Sequence, residues 1–120
     1  MTEANVHHTI NYIEIPSTNI AATKAFYTAA FGWTFQDWAP TYVSFSGAGI
    51  EGGFEQDAGG RRPSTDGVLV ILYSSDLAAS EQAVTAAGGT ISRPAFNFPG
   101  GRRFHFLDPN GNELAVWSET

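Results

Sequence analysis

The chain repeats itself, and the repeat constrains the fold more than any other feature of the sequence. A shift of 57 residues carries Ser17-Thr18-Asn19 onto Ser74-Ser75-Asp76, Ile20 onto Leu77, Ala21-Ala22 onto Ala78-Ala79 and Gly32 onto Gly89. Each half then reads as one strand, a capped helix and three further strands. Like units of this size bury one face against each other. The expected architecture is therefore α+β, with two βαβββ modules in tandem.

In the first half the apolar alternation predicts a strand over residues 8–15. A helix follows over 20–31, capped by Asn19 or Thr18 and stopped by Gly32. Strands are expected over 33–36, 42–46 and 50–55, with Gly47-Ala48-Gly49 as a hairpin. The second half predicts a strand over 68–73 and a helix from 77 to about 87. A short strand at 90–92, a proline-broken loop through Gly101, a strand at 103–107 and a last strand at 113–117 complete it. The polar stretch from Asp57 carries glycines, Pro63 and Arg61-Arg62, and reads as a linker. One domain over 1–120 is expected: module one about 7–56, linker 57–66, module two about 67–118.

Composition narrows the function. Hydrophobic residues make up 42% and charged residues 15%, which is the wrong balance for disorder. The longest apolar run, residues 68–73, is far shorter than the ~20 residues of a spanning helix. Met1 to Asn5 lacks a basic-then-apolar leader pattern, so a cytoplasmic protein without a membrane partner is expected. With no cysteine, disulfides, thiolate catalysis and Cys-ligated zinc are excluded. Six Lys and Arg stand against twelve Asp and Glu, for a net charge of −6. Nucleic acid is a poor partner for that balance, whereas a cationic small molecule suits it.

Phe26-Tyr27, Phe31-Gly32-Trp33 and Asp108-Pro109-Asn110-Gly111-Asn112-Glu113-Leu114, set in this element order, resemble the vicinal oxygen chelate superfamily. That group includes glyoxalase I, extradiol dioxygenases and bleomycin-binding proteins. The resemblance covers about residues 8 to 118. It implies modules that each curl a sheet into half a cup around a small-molecule site, often completed in a homodimer. It also implies a divalent metal held by His and Glu at a few strand positions. Here those positions fall on Ile10, on residues 67–69, on Ala115 and on Glu51. Only Glu51 can bind a metal, so no metal cofactor is expected. Should a divalent metal bind after all, Glu51 and His8 are the residues to hold it. His8 otherwise reads as a strand-end histidine without a task.

Strand parity supplies the other candidates. The resemblance places His105, three residues before Asp108, on the cup face. Arg103 and Leu107 share its parity, while Phe104 and Phe106 turn under the helices. Histidine can recognise a ligand or move a proton near neutral pH; it can equally be a satisfied structural residue. Glu14 and Tyr12 share the parity of Ile10. A carboxylate at Glu14 requires a partner or water, and it could pair with His105 or Arg103. Trp117 has the parity of Ala115 and could form an apolar wall. Trp33 and Trp38 read as packing.

Three functions stay open at this point. The first is a metal-free binding protein holding a small molecule through Tyr12, Glu14, Glu51, Arg103, His105 and Trp117. The second is a glyoxalase- or lyase-type metalloenzyme with substituted ligands. The third is a metal-free isomerase or epimerase with Glu14 or Glu51 and His105 as its catalytic groups.

Overall fold

The computed structural model describes residues 5–56 and 61–120. Residues 1–4, most of the stretch read for a leader, and 57–60 of the linker lie outside the described residues. Module one contains β1 (Tyr12–Ser17), α1 (Ile20–Phe31), β2 (Thr34–Ala39), β3 (Tyr42–Ser46) and β4 (Glu51–Gln56). Module two repeats the order with β5 (Val70–Tyr73), α2 (Leu77–Ala86), β6 (Thr90–Phe98), β7 (Gly101–Leu107) and β8 (Glu113–Ser118). Each module forms its own four-stranded sheet, ordered β1-β4-β3-β2 and β5-β8-β7-β6. In both, the first strand crosses over through the helix and pairs in parallel with the last.

Local chemistry explains the matching helices. The Asn19 carboxamide accepts from the Ala22 N–H, and the Asp76 carboxylate accepts from the Ala79 N–H. Each satisfies one of the donors that a first turn leaves free. Gly32 ends α1 at φ +74, where a side chain would be strained.

The helix-facing sides of the two sheets share one core. Tyr27 is fully buried, stacked on Trp33 with ring centroids 4.7 Å apart and beside Phe54 at 4.9 Å. Phe106 of module two reaches Phe26 at 5.9 Å and Phe31 at 5.7 Å, which joins the modules. Each such aromatic contributes about 1.5–3 kcal/mol by burial.

A polar latch closes the same seam. The buried Asp108 accepts from Tyr27 Oη at 2.8 Å, from the Asn110 and Asn112 backbone N–H groups at 2.9 Å each, and from Asn112 Nδ2 at 3.1 Å. Asn110 Oδ1 accepts from the Thr18 N–H, and Asn112 Nδ2 donates to the Pro16 carbonyl. The turn after β7 is thereby fastened to β1 and α1 of the other module.

Two expectations from the sequence need correction. The first strand begins at Tyr12, so His8 and Ile10 carry no strand parity. Residues 6–9 fold back instead, with the Thr9 N–H and hydroxyl both donating to the Val6 carbonyl. His8 sits in this turn at φ +68, its ring stacked on that of His7. The expected proline-broken loop is the continuation of β6, which runs through Pro94 to Phe98. β6 is an edge strand, and its register shifts on both sides of Arg93, the setting in which a strand tolerates proline. No helix among the described residues is long and apolar enough to cross a membrane.

Candidate functional site

Alternation along β7 and β8 gives module two an outer face opposite its helix. Arg103, His105 and Leu107 pair across with Trp117, Ala115 and Glu113. The intervening Phe104 and Phe106 are fully buried toward the helices, as their parity requires.

His105 is the centre of this face. It is only 7% exposed. Its Nδ1 lies 3.0 Å from Oε2 of Glu113, which also accepts from the Ser92 hydroxyl at 3.1 Å. A carboxylate only accepts, so this contact places the proton on Nδ1. In the neutral imidazole the lone pair is on Nε2, which is buried and has no hydrogen-bond partner among the described residues. His105, Glu113 and Arg93 line a cavity of about 320 Å³. Residues of the chain between the modules, including Ser64, Gly67 and Leu69, form its opposite wall. That segment is held in place where the Glu113 N–H donates to the Ser64 carbonyl and the Ser64 N–H donates to Asn112 Oδ1.

Beyond the cavity, aromatic and cationic groups continue the same face. The Arg93 guanidinium lies 3.8 Å from the Phe96 ring centroid, and that of Arg103 lies 5.3 Å from the same ring. Phe96 also approaches the His105 ring, at 5.9 Å. Trp117 is half-buried against Tyr73 and Phe98 at 5.2 and 6.3 Å, an apolar wall further along the sheet.

The remaining expected residues stand on the other sheet. Tyr12 pairs across from Glu51, and Glu14 from Gly53, so Tyr12, Glu14 and Glu51 share the exposed outer face of module one. There the hydroxyls of Tyr12 and Tyr42 hydrogen-bond to each other above Gly53. A Cβ on Gly53 would stand 2.6 Å from Tyr12 Oη, so only glycine admits this pair. Tyr42 is pushed well above the usual tyrosine range, chiefly by desolvation, then by its bond to Tyr12 and by nearby Glu14.

Thus His105, Arg103 and Trp117 share one face, while Tyr12, Glu14 and Glu51 share another. The suggested pairing of Glu14 with His105 or Arg103 does not form within the chain. Glu113 holds that position instead. Its signal was present, since it lies two residues before Ala115 and so shares the face of Trp117. Trp38, expected as packing, is 68% exposed and donates to Ser44 Oγ. Among the described residues no three His, Asp or Glu side chains come together. Ile10 and Ala115 offer no donor, and Glu51 stands apart from His105. This donor set does not fit a divalent metal, which requires several converging ligands.

Residues 9–116 match the family described as the Glyoxalase/Bleomycin resistance protein/Dioxygenase superfamily. Among solved structures, the chain is similar to a glyoxalase-related enzyme from Fulvimarina pelagi, with TM-score 0.79 and 22% identity. That match covers 92% of this chain and 88% of the other. A glyoxalase/bleomycin resistance protein/dioxygenase family enzyme from Burkholderia phytofirmans also gives 0.79, at 19% identity over 92% and 98% of the two chains. At these identities the likeness is one of fold. A further relative is CFP32 of Mycobacterium bovis, provisionally named a glyoxylase, which is 25% identical over 117 residues. The match covers 91% of this chain but 45% of that protein, so the chain spans less than half the relative's length.

Proposed function

Because this chain belongs to the glyoxalase/bleomycin resistance protein/dioxygenase superfamily, we propose that it binds a small organic molecule in the module-two cavity, oriented by His105. One observation carries the reading: a buried imidazole, fixed by Glu113 on one side, presents an unpartnered nitrogen among the residues that line a cavity. A buried polar atom left unpaired costs about 1–3 kcal/mol, which a ligand group can recover. The cavity volume lies at the small end of the range for ligand pockets. Arg103 and Trp117 flank the site. Tyr12, Glu14 and Glu51 line the module-one face, and a homodimer could bring them over a second copy's cavity. Exposed Trp38, Ile71 and Tyr73 support such pairing.

A second reading has its own support. A histidine held by a carboxylate in the Nδ1–H form is arranged as a proton acceptor at Nε2. That favours an isomerase or epimerase acting without metal, with His105 as its base and Glu113 as the positioning group.

The test is imidazole ¹⁵N NMR during a screen of small organic molecules. A ligand of this site shifts His105 and leaves His7 and His8 in place. His105→Gln weakens it about tenfold or more. A verified ligand whose affinity is unchanged in that variant refutes the binding reading. Deuterium uptake from D₂O into a C–H of the bound ligand would select the isomerase. Its absence with each verified ligand selects the binding protein.

A further inference from the structure

Two buried side-chain nitrogens lack partners among the described residues, His105 Nε2 and Arg103 Nε. They belong to neighbouring residues of one face of β7, two positions apart, or about 7 Å along a strand. Their chemistry is opposite. Arg103 Nε–H can only donate, whereas His105 Nε2 accepts in the neutral imidazole whose Nδ1–H donates to Glu113.

Charge sharpens the contrast. The chain is acidic overall, yet this face gathers two guanidiniums around Phe96. Neither forms an ion pair among the described residues, whereas Lys24 pairs with Asp37 at 2.9 Å. Glu113 is engaged by His105 and Ser92. Among the described residues, then, no carboxylate pairs with either guanidinium, and Nε2 of the neutral imidazole has no donor.

We propose that the ligand is an organic acid carrying a hydroxyl group, its carboxylate taken by Arg103 with Arg93, and its hydroxyl donating to His105 Nε2. The proposal rests on the binding reading above and specifies its chemical class. Arginine matches a carboxylate through paired N–H groups. A flat spacer between the two groups suits the stacking surface formed by Phe96 and the guanidinium planes.

The probe is 4-hydroxybenzoate, whose two polar groups are held apart by a rigid ring. Benzoate lacks the hydroxyl, and 4-hydroxybenzyl alcohol lacks the carboxylate. His105 imidazole shifts and titration calorimetry on the intact protein report binding. The expected result is a His105 shift with 4-hydroxybenzoate and affinities about tenfold weaker for each control. Arg103→Gln brings 4-hydroxybenzoate down to the level of the alcohol, and Arg103→Lys recovers only part of the loss. Equal binding of the alcohol overturns the carboxylate assignment and leaves the site reading standing. Equal binding of benzoate overturns the hydroxyl assignment in the same way. If Arg103→Gln instead weakens self-association and spares the probe, the guanidinium serves a subunit contact and the proposal fails. If no probe moves His105, the proposal fails, and the site reading is decided by the wider screen with His105→Gln.

Discussion

Replacing Asp108 by alanine should loosen the whole molecule, because one carboxylate serves donors from both modules. The variant leaves the Tyr27 hydroxyl buried and unpaired, and removes the acceptor for the Asn110 and Asn112 backbone N–H groups. An unsatisfied buried hydroxyl costs about 1–3 kcal/mol, and bonds to a charged acceptor exceed neutral ones. Water can reach part of the turn and restore some of the loss. The expected destabilisation is roughly 3–5 kcal/mol, near the top of the range for single substitutions. Tyr27→Phe should cost less, about 1–2 kcal/mol, since Asp108 Oδ2 keeps Asn112 Nδ2. In the Asp108→Ala background, Tyr27→Phe should cost almost nothing, because the hydroxyl no longer has its acceptor. Urea unfolding of the four proteins completes the cycle and isolates the coupling. A loss below about 1 kcal/mol for Asp108→Ala, or full additivity of the pair, would refute the latch as the joint between modules.

Alkaline pH should destabilise the protein beyond the ordinary tyrosine value of 10.0, since burial first and Asp108 second hold the Tyr27 proton tightly. The folded state then keeps a proton that the unfolded state releases, so stability is flat below about pH 10 and falls above it. Urea midpoints at pH 9 to 11 should show that fall, and Tyr27→Phe should reduce it, leaving the part that Tyr42 contributes. Gly52→Ala should cost about 1–3 kcal/mol by overpacking, because its Cβ would stand 2.7 Å from Phe45 Cε2 and press on the Ile13 carbonyl. Thermal or urea unfolding matching the parent would contradict that packing. Light scattering should give a dimer at micromolar concentration; a monomer would remove the pairing inferred from Trp38, Ile71 and Tyr73.

Periodicity and punctuation make the fold readable in the sequence. The caps at Asn19 and Asp76 and the stop at Gly32 act through contacts within a few residues, so local sequence reports them faithfully. Parity within 103–107 likewise placed His105 opposite Phe104 and Phe106. The reading failed where a contact elsewhere decides the outcome. Whether Pro94 breaks β6 depends on its being an edge strand, which no local window shows. The turn at 6–9 competes with strand pairing that the alternation alone suggested. Strand parity puts Glu14 and His105 on faces that could meet, yet the two faces belong to separate sheets and do not meet within the chain. Glu113 shares the parity of Ala115 and Trp117, but its contact with His105 crosses from β8 to β7, which no local window shows.

The two modules share one element order, yet the His105 cavity of module two takes a wall from outside the repeated elements. Residues 61–69 precede β5 and are fixed along β8 through Ser64, where they wall the His105 cavity. Residues 5–11 precede β1 in the corresponding place, but turn back on Val6 and leave the module-one face open. The joint between the copies thus breaks their symmetry. A connector that holds two halves together also walls a cavity in one of them, and on the binding reading proposed above, changes in it should alter ligand choice while both sheets stay as they are.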